Sequence, residues 1–188
     1  LARHFEGLAD YLPLRGQSIT DAATAARART ELANIESAAR SVTETALLPE
    51  IDSRGWRWIR IGDTRSMLGD LVSAAAAYGQ AEACFATLVA AKPDMAEWRR
   101  NLSVSWDRLG DVRGALGDIP GALIAFTAAK ECASQLVISD PNDIVYQHDL
   151  AISWIKLGQI WLDKNDLERA LEAFTSSRNI AFWQIGRA

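Results

Sequence analysis

Between Trp106 and Phe126 the chain reads WDRLGDVRGALGDIPGALIAF, and between Trp154 and Phe174 it reads WIKLGQIWLDKNDLERALEAF. The apolar and small positions keep their gaps while the polar ones change. Trp58, Trp106 and Trp154 recur at a spacing of 48 residues, as do Ile61, Leu109 and Leu157, each followed by glycine. Asp70, Asp118 and Asp166 follow in the same phase, then Ala74, Ala122 and Ala170, then Tyr78, Phe126 and Phe174, and Pro93 pairs with Pro141. Self-similarity at a fixed period marks a stacked-repeat architecture. Three units are expected, 50–97, 98–145 and 146–188.

Each unit reads as two helices. Trp and the Leu or Ile three residues on share one helical face, and the glycine that follows lets a neighbouring helix approach closely. GD at 69–70 and 117–118, and ND at 165–166, break the first helix. Gly or Asn suits the left-handed C-terminal cap and Asp the next N-cap. The second helix places Ala and an aromatic four residues apart and ends at AAKPD or SDPND. Asp94, with Glu97 at capping-box spacing, and Asn142 or Asp143 are the expected caps of the following helices.

Trp106, Leu109, Gly110, Ala122 and Phe126, and Trp154, Leu157, Gly158, Ala170 and Phe174, resemble the tetratricopeptide repeat, whose pattern is W-x2-L-G-x2-Y, then A-x3-F, then P. Trp58, Ile61, Gly62, Ala74 and Tyr78 give a looser third match, Arg65 and Arg113 replace the family aromatic, and Trp161 restores it. The resemblance covers about residues 50–188. It implies an all-α fold, a right-handed α-solenoid of antiparallel helix pairs forming a superhelix. The period exceeds the family's 34 residues by 14. The excess divides into about seven residues per helix, nearly two turns, which keeps each buried stripe on its own side. Cys84, Leu88 and Val89, repeated as Cys132, Leu136 and Val137, continue the stripe. Long-helix arrays of this kind resemble those attached to bacterial signalling and regulatory proteins.

Residues 1–49 follow the pattern poorly and are expected to form divergent helices of the same single domain, 1–188. Residues 3–14 suggest a short amphipathic helix. Ala25, Ala28, Leu32, Ile35, Ala39, Val42 and Ala46 form a seam on a long helix expected to end near Pro49, either a capping repeat or a weak dimerising coiled coil. At the other end, Phe182 and Trp183 align with Ser134 and Gln135, and Leu162 with Gly114. Phe182 and Trp183 are therefore the expected apolar contact surface, for another repeat or a second chain.

Composition narrows the function. The net charge of −4 suits neither a phosphate backbone nor nucleic acid as partner, and no apolar run is expected to approach the roughly 20 residues of a membrane span. The start has no signal-peptide layout and no initiator Met, so a cytoplasmic piece of a longer protein is the expectation. Cys84 and Cys132, 48 residues apart, are expected to be small core residues at helix-packing distance rather than a disulfide. His4 and His148 are isolated, and adjacent His148 and Asp149 diverge by about 100° on a helix. No metal, cofactor or catalytic constellation is expected, and the glycine-rich GALGDIPGA is a repeat turn. What remains is a non-catalytic scaffold for a protein or peptide on the face of the first helices. Its candidate ligands are Arg60, Arg108 and Lys156 in one row and Asp63, Asp111 and Gln159 in the next. Arg and Asp three apart within a unit are expected to pair. The alternative is self-association into a homo-oligomer through the N-terminal helix or the apolar C-terminal end.

Overall fold

A computed structural model describes residues 21–40 and 48–185, with side chains described for 21–35 and 48–180. The described residues form seven helices and no strand: α1 (Ala22–Arg40), α2 (Leu48–Met67), α3 (Leu71–Ala91), α4 (Ala96–Ala115), α5 (Ile119–Ser139), α6 (Ile144–Asp163) and α7 (Leu167–Ile185). The fold is all-α, with helices packed in sequence as antiparallel pairs. The first helices of the pairs start at Leu48, Ala96 and Ile144, so the 48-residue spacing is carried by the helices themselves.

The hairpin turns follow from their residues. Gly69 and Gly117 adopt φ of +80° and +78°, and Asn165 takes the same left-handed place at φ 57°, where a β-branched residue would be strained. The aspartate after each then caps the second helix: Asp70 accepts from the Ser73 N–H, Asp118 from that of Gly121 and Asp166 from that of Arg169. Arg65 and Arg113 stand where the family pattern has an aromatic. Each donates to a carbonyl of its own second helix, Ser73 O at 3.2 Å and Gly121 O at 3.3 Å. A hydrogen bond thus closes these two hairpins where a ring would otherwise pack. In the third, Trp161 lies under Arg169 and Lys164.

Within each pair the aromatic of the second helix lies flat on the glycine of the first. A methyl group at Gly62, Gly110 or Gly158 would sit 2.5–2.6 Å from the ring of Tyr78, Phe126 or Phe174. The core is a series of clusters linking successive pairs. Tyr78, Phe85 and Leu88 meet Leu109 and Val112 of the next pair, while Ala122 and Phe126 meet Leu157 and Ile160. Trp58, Trp106 and Trp154 are all half-buried against these clusters, in like surroundings.

Two expectations need correction, and a third falls partly outside the described residues. The latter is the long helix expected to end near Pro49: α1 is described to Arg40, and Pro49 itself is the second residue of α2, a first-turn place where its missing N–H costs nothing. The seam positions Val42 and Ala46, like the short helix at 3–14, lie outside the described residues. Asp94 does not cap α4, whose N-cap is Met95 without a side-chain hydrogen bond, whereas Asp143 does cap α6. In the linker before α4, Arg99 instead donates to Pro93 O at 2.6 Å. Finally, α5 is long and apolar enough to cross a membrane by length and composition. Here its apolar residues Ala122, Ala125, Phe126, Ala129, Ala133 and Leu136 are buried, and the helix packs against α4 and α6.

Candidate functional site

The first helices α2, α4 and α6 are neighbours across the seams between pairs, and the charged residues singled out by the sequence lie on those seams. Arg108 and Lys156 each pair with a carboxylate of the preceding unit. Arg108 Nε reaches back 3.3 Å to Asp63 Oδ1 of the preceding unit, and Lys156 Nζ reaches back 2.8 Å to Asp111 Oδ2. Both pairs are 45 residues apart. Arg108 meets Asp63, which is less exposed than Asp111, the i+3 neighbour of Arg108, while Lys156 has only the neutral Gln159 at that spacing. Asp63 also accepts from the Tyr78 hydroxyl at 2.7 Å, and burial with the neighbouring Asp63 charge pushes the Tyr78 phenol far above its ordinary range. In the second seam Phe126 has no hydroxyl, and Lys156 lies over its ring instead, 5.3 Å from the centroid.

A second tier crosses the same seams. Asn101 donates to Asp52 and Arg100 Nε to Asp149 Oδ2 at 2.6 Å, two pairs each 49 residues apart. The hydrogen bond to Asp149 raises the Arg100 guanidinium further above its ordinary value. Of the six expected peptide ligands, then, Asp63, Arg108, Asp111 and Lys156 are brought together as clasps between units. Arg60 is half-buried on α2, and Gln159 is exposed on α6. Phe182 and Trp183 belong to α7, but their side chains lie outside the described residues.

Between the two tiers of the second seam lies a cleft of about 480 Å3. Its α4 wall carries Arg100, Ser103, Val104, Asp107 and Arg108, and its α6 wall Ile144, Val145, His148, Asp149, Ile152 and Lys156. Ile144 and Val145 are exposed at its mouth. Asp107 is its most unusual wall residue. It stands in register with Ile59 and Ile155, its Oδ1 is buried without a hydrogen bond, and the Lys156 ammonium is 3.9 Å away. Burial pushes the Asp107 carboxyl up to about 6, against the pull of Lys156. His148 Nδ1 is 3.8 Å from Asp149 Oδ1, too far for a hydrogen bond, and Asp149 is already held by Arg100.

The sequence signal that would have found Arg100 and Asp149 is the 49-residue offset, which puts neighbouring seam positions, rather than equivalent ones, in contact. Asp107 was legible as a carboxylate in a row of isoleucines. Arg100, Val104, Asp107, Asp149 and Ile152 all go unmarked when rows are read along one helix only.

Cys84 is buried, with the Arg54 Nε 3.4 Å from its sulfur, and Cys132 is half-buried, its thiol pushed up to about 11 by burial. Both are free thiols. A smaller recess of about 320 Å3 lies between the end of α5, the linker and α7. Gln147 lines it and donates to Pro141 O, the counterpart of the Arg99 bond to Pro93. Among the described residues no three His, Cys, Asp or Glu side chains are grouped as a metal site would need.

No family model matches this chain, and no curated protein matches it. Among solved structures, the crystal structure of BtubC (BKLC) from P. vanneervenii is similar over 85% of this chain and 75% of that one, with 14% identity and a TM-score of 0.43.

Proposed function

We propose that the chain is a non-catalytic scaffold of the tetratricopeptide-like kind that binds a peptide segment of another protein in the cleft between α4 and α6. One observation carries this reading: the cleft of about 480 Å3 combines apolar residues left exposed, Ile144 and Val145, with fixed charges of both signs. A stably folded protein gains nothing from exposed apolar residues beside a concave, charge-lined slot, and such a place suits a partner. The clasps hold its walls. Arg100–Asp149 on one side and Lys156–Asp111 on the other fix α4 against α6, so a ligand meets a preorganised surface and less ordering opposes binding. The fitting ligand is an extended or helical segment with one apolar side chain between Val104 and Ile152, flanked by charged residues. The sequence resemblance supports the same reading, as helical-repeat arrays present the first helices of successive pairs as one surface.

The test is selection of a displayed peptide library on the 188-residue chain, followed by titration of the enriched peptides on two variants. Val104→Trp gives the cleft the indole that Trp56 supplies at the equivalent place on α2, and Ile152→Glu places a carboxylate in the apolar wall. Both are expected to weaken binding by at least ~10-fold, a loss of about 1.4 kcal/mol, while Ile124→Glu on the exposed side of α5 leaves it unchanged. No enriched peptide, or enriched peptides indifferent to both cleft variants, overturns the proposal.

A further inference from the structure

The molecule covers the same helix face twice and then leaves it open. On α3, Leu71 and Ala75 pack into a cluster completed by Trp106, Leu109 and Val112 of α4. On α5, the residues in register, Ile119 and Leu123, pack into a cluster completed by Leu157, Ile160 and Trp161 of α6. On α7 the same register holds Leu167 and Leu171, and these are 64% and 69% exposed. Nothing in their own helix explains the difference. Ala170 and Ala173, beside them, are buried as Ala122 and Ala125 are, so α7 is seated on α6 as α5 is on α4. The difference lies on the far side, where α4 covers α3 and α6 covers α5, and where no described helix covers α7. α1 obeys the same rule at the other end, with Ile35 buried against Ile61 of the following first helix.

We propose that the Leu167–Leu171 face of α7 is a docking surface for one further α-helix of the α4 and α6 type, with Trp, then Leu or Ile three residues on, then Gly along its apolar stripe. The occupant follows from the two covered faces, because each is filled by a helix of that pattern and by no other kind of element. Its polar edge is specified too. On α6 the clasp positions that such a helix would meet are His148, in register with Arg100, and Gln159, in register with Asp111. These are an imidazole and an amide where the second seam has a guanidinium and a carboxylate, so this seam is held by apolar contact with hydrogen bonds.

The experiment appends a copy of residues 141–163 directly after Ala188, which keeps the 48-residue phase. Thermal melting is then compared for the original and lengthened chains, each with and without Leu171→Ala. The lengthened chain is expected to melt at least ~3 °C higher. Leu171→Ala is expected to move the original melt by under ~1 °C, as for an exposed residue, and the lengthened one by ~4 °C or more, as for a buried leucine. As a measurement independent of that chain's folding, a labelled peptide of residues 144–163 is titrated onto the original protein. It is expected to bind saturably and to lose at least ~10-fold in affinity with Leu167→Glu and Leu171→Glu combined. Equal effects of Leu171→Ala in both chains, with no peptide binding, overturn the proposal. So does sedimentation showing a dimer that Leu171→Glu dissolves, which assigns the face to a second copy.

Discussion

The first and second helix pairs share a backbone plan and fill it differently. In the first, Gly55 faces Phe85, whose ring would lie 2.7 Å from a methyl placed there, and Trp56 packs edge-on against that ring with centroids 5.8 Å apart. In the second, the same three positions are Ser103, Ala133 and Val104. Ser103 uses its hydroxyl to donate to Ala129 O, so a hydrogen bond across the pair takes the place of a ring. One pair spends its volume on the second helix, the other spreads small groups over both. The second solution leaves only two methyls at position 104, and that is where the cleft opens. The repeat fixes where helices lie, and the exchange of volume between equivalent positions decides which seam can receive a ligand.

Breaking the first solution has the largest effect. Phe85 is fully buried, and Phe85→Ala is expected to lower stability by about 3–5 kcal/mol in urea unfolding, since Gly55 cannot fill the void. Adding Gly55→Ser imports the second pair's arrangement and supplies helix propensity. The double variant is expected to be more stable than the sum of the single changes by at least about 0.5 kcal/mol. Simple additivity would mean that the two positions do not trade volume.

Much of this plan was written in the sequence. Trp, Leu, Gly, Asp, Ala and the aromatic at constant gaps gave the helices and their hairpin turns, because each of those residues acts through its own backbone or its nearest helical neighbour. The capping aspartates and left-handed glycines belong to the same local class. The candidate site was less legible. Arg108 and Asp111 share a helix at favourable spacing, yet each pairs across a seam with a residue 45 positions away. Which partner wins depends on how far adjacent helices are offset along their axes, a quantity that a one-dimensional period does not contain. Asp94 misled for a similar reason, since the linker turns one residue later and puts Met95 at the cap.

Asp107 gives a smaller effect, of opposite sign. Its register mates are Ile59 and Ile155, and its buried carboxyl titrates near 6 in the folded chain but near 3.9 when unfolded. Between these values the folded state binds more protons, so the Asp107 contribution to stability falls as pH rises from about 4 to about 6 and stays low above. Asp111 and Asp149 oppose its ionisation, while Lys156 and Arg108 favour it. Asp107→Ile is therefore expected to stabilise the chain by on the order of 1–2 kcal/mol at pH 7 and not at pH 4. Burial raises Asp52 and Glu82 as well, so the measurement is the difference between the two pH profiles. A constant difference from pH 4 to 7 would remove the titration of Asp107 as its cause.

The two clasps sharpen the comparison at the level of tenths of a kcal/mol. Asp63 is held from two sides, by Arg108 and by the Tyr78 hydroxyl, and the Arg108 side chain is only 16% exposed. Asp111 is 48% exposed, and its partner Lys156 divides its charge between Asp111, Asp107 and the Phe126 ring. A divided, solvated ion pair is worth under about 1 kcal/mol and is screened by salt. A half-buried pair with a neutral hydroxyl holding the carboxylate keeps more of its strength. Double-mutant cycles are expected to give Asp63 and Arg108 a coupling about 0.5 kcal/mol larger than Asp111 and Lys156, with the second fading by 0.5 M salt and the first persisting. Tyr78→Phe, which writes the second pair's residue into the first, is expected to cost about 0.5–1.5 kcal/mol and to bring the first coupling down toward the second. Equal couplings before that substitution would mean that the hydroxyl does not distinguish the seams, leaving the exposure of Asp111 without energetic consequence.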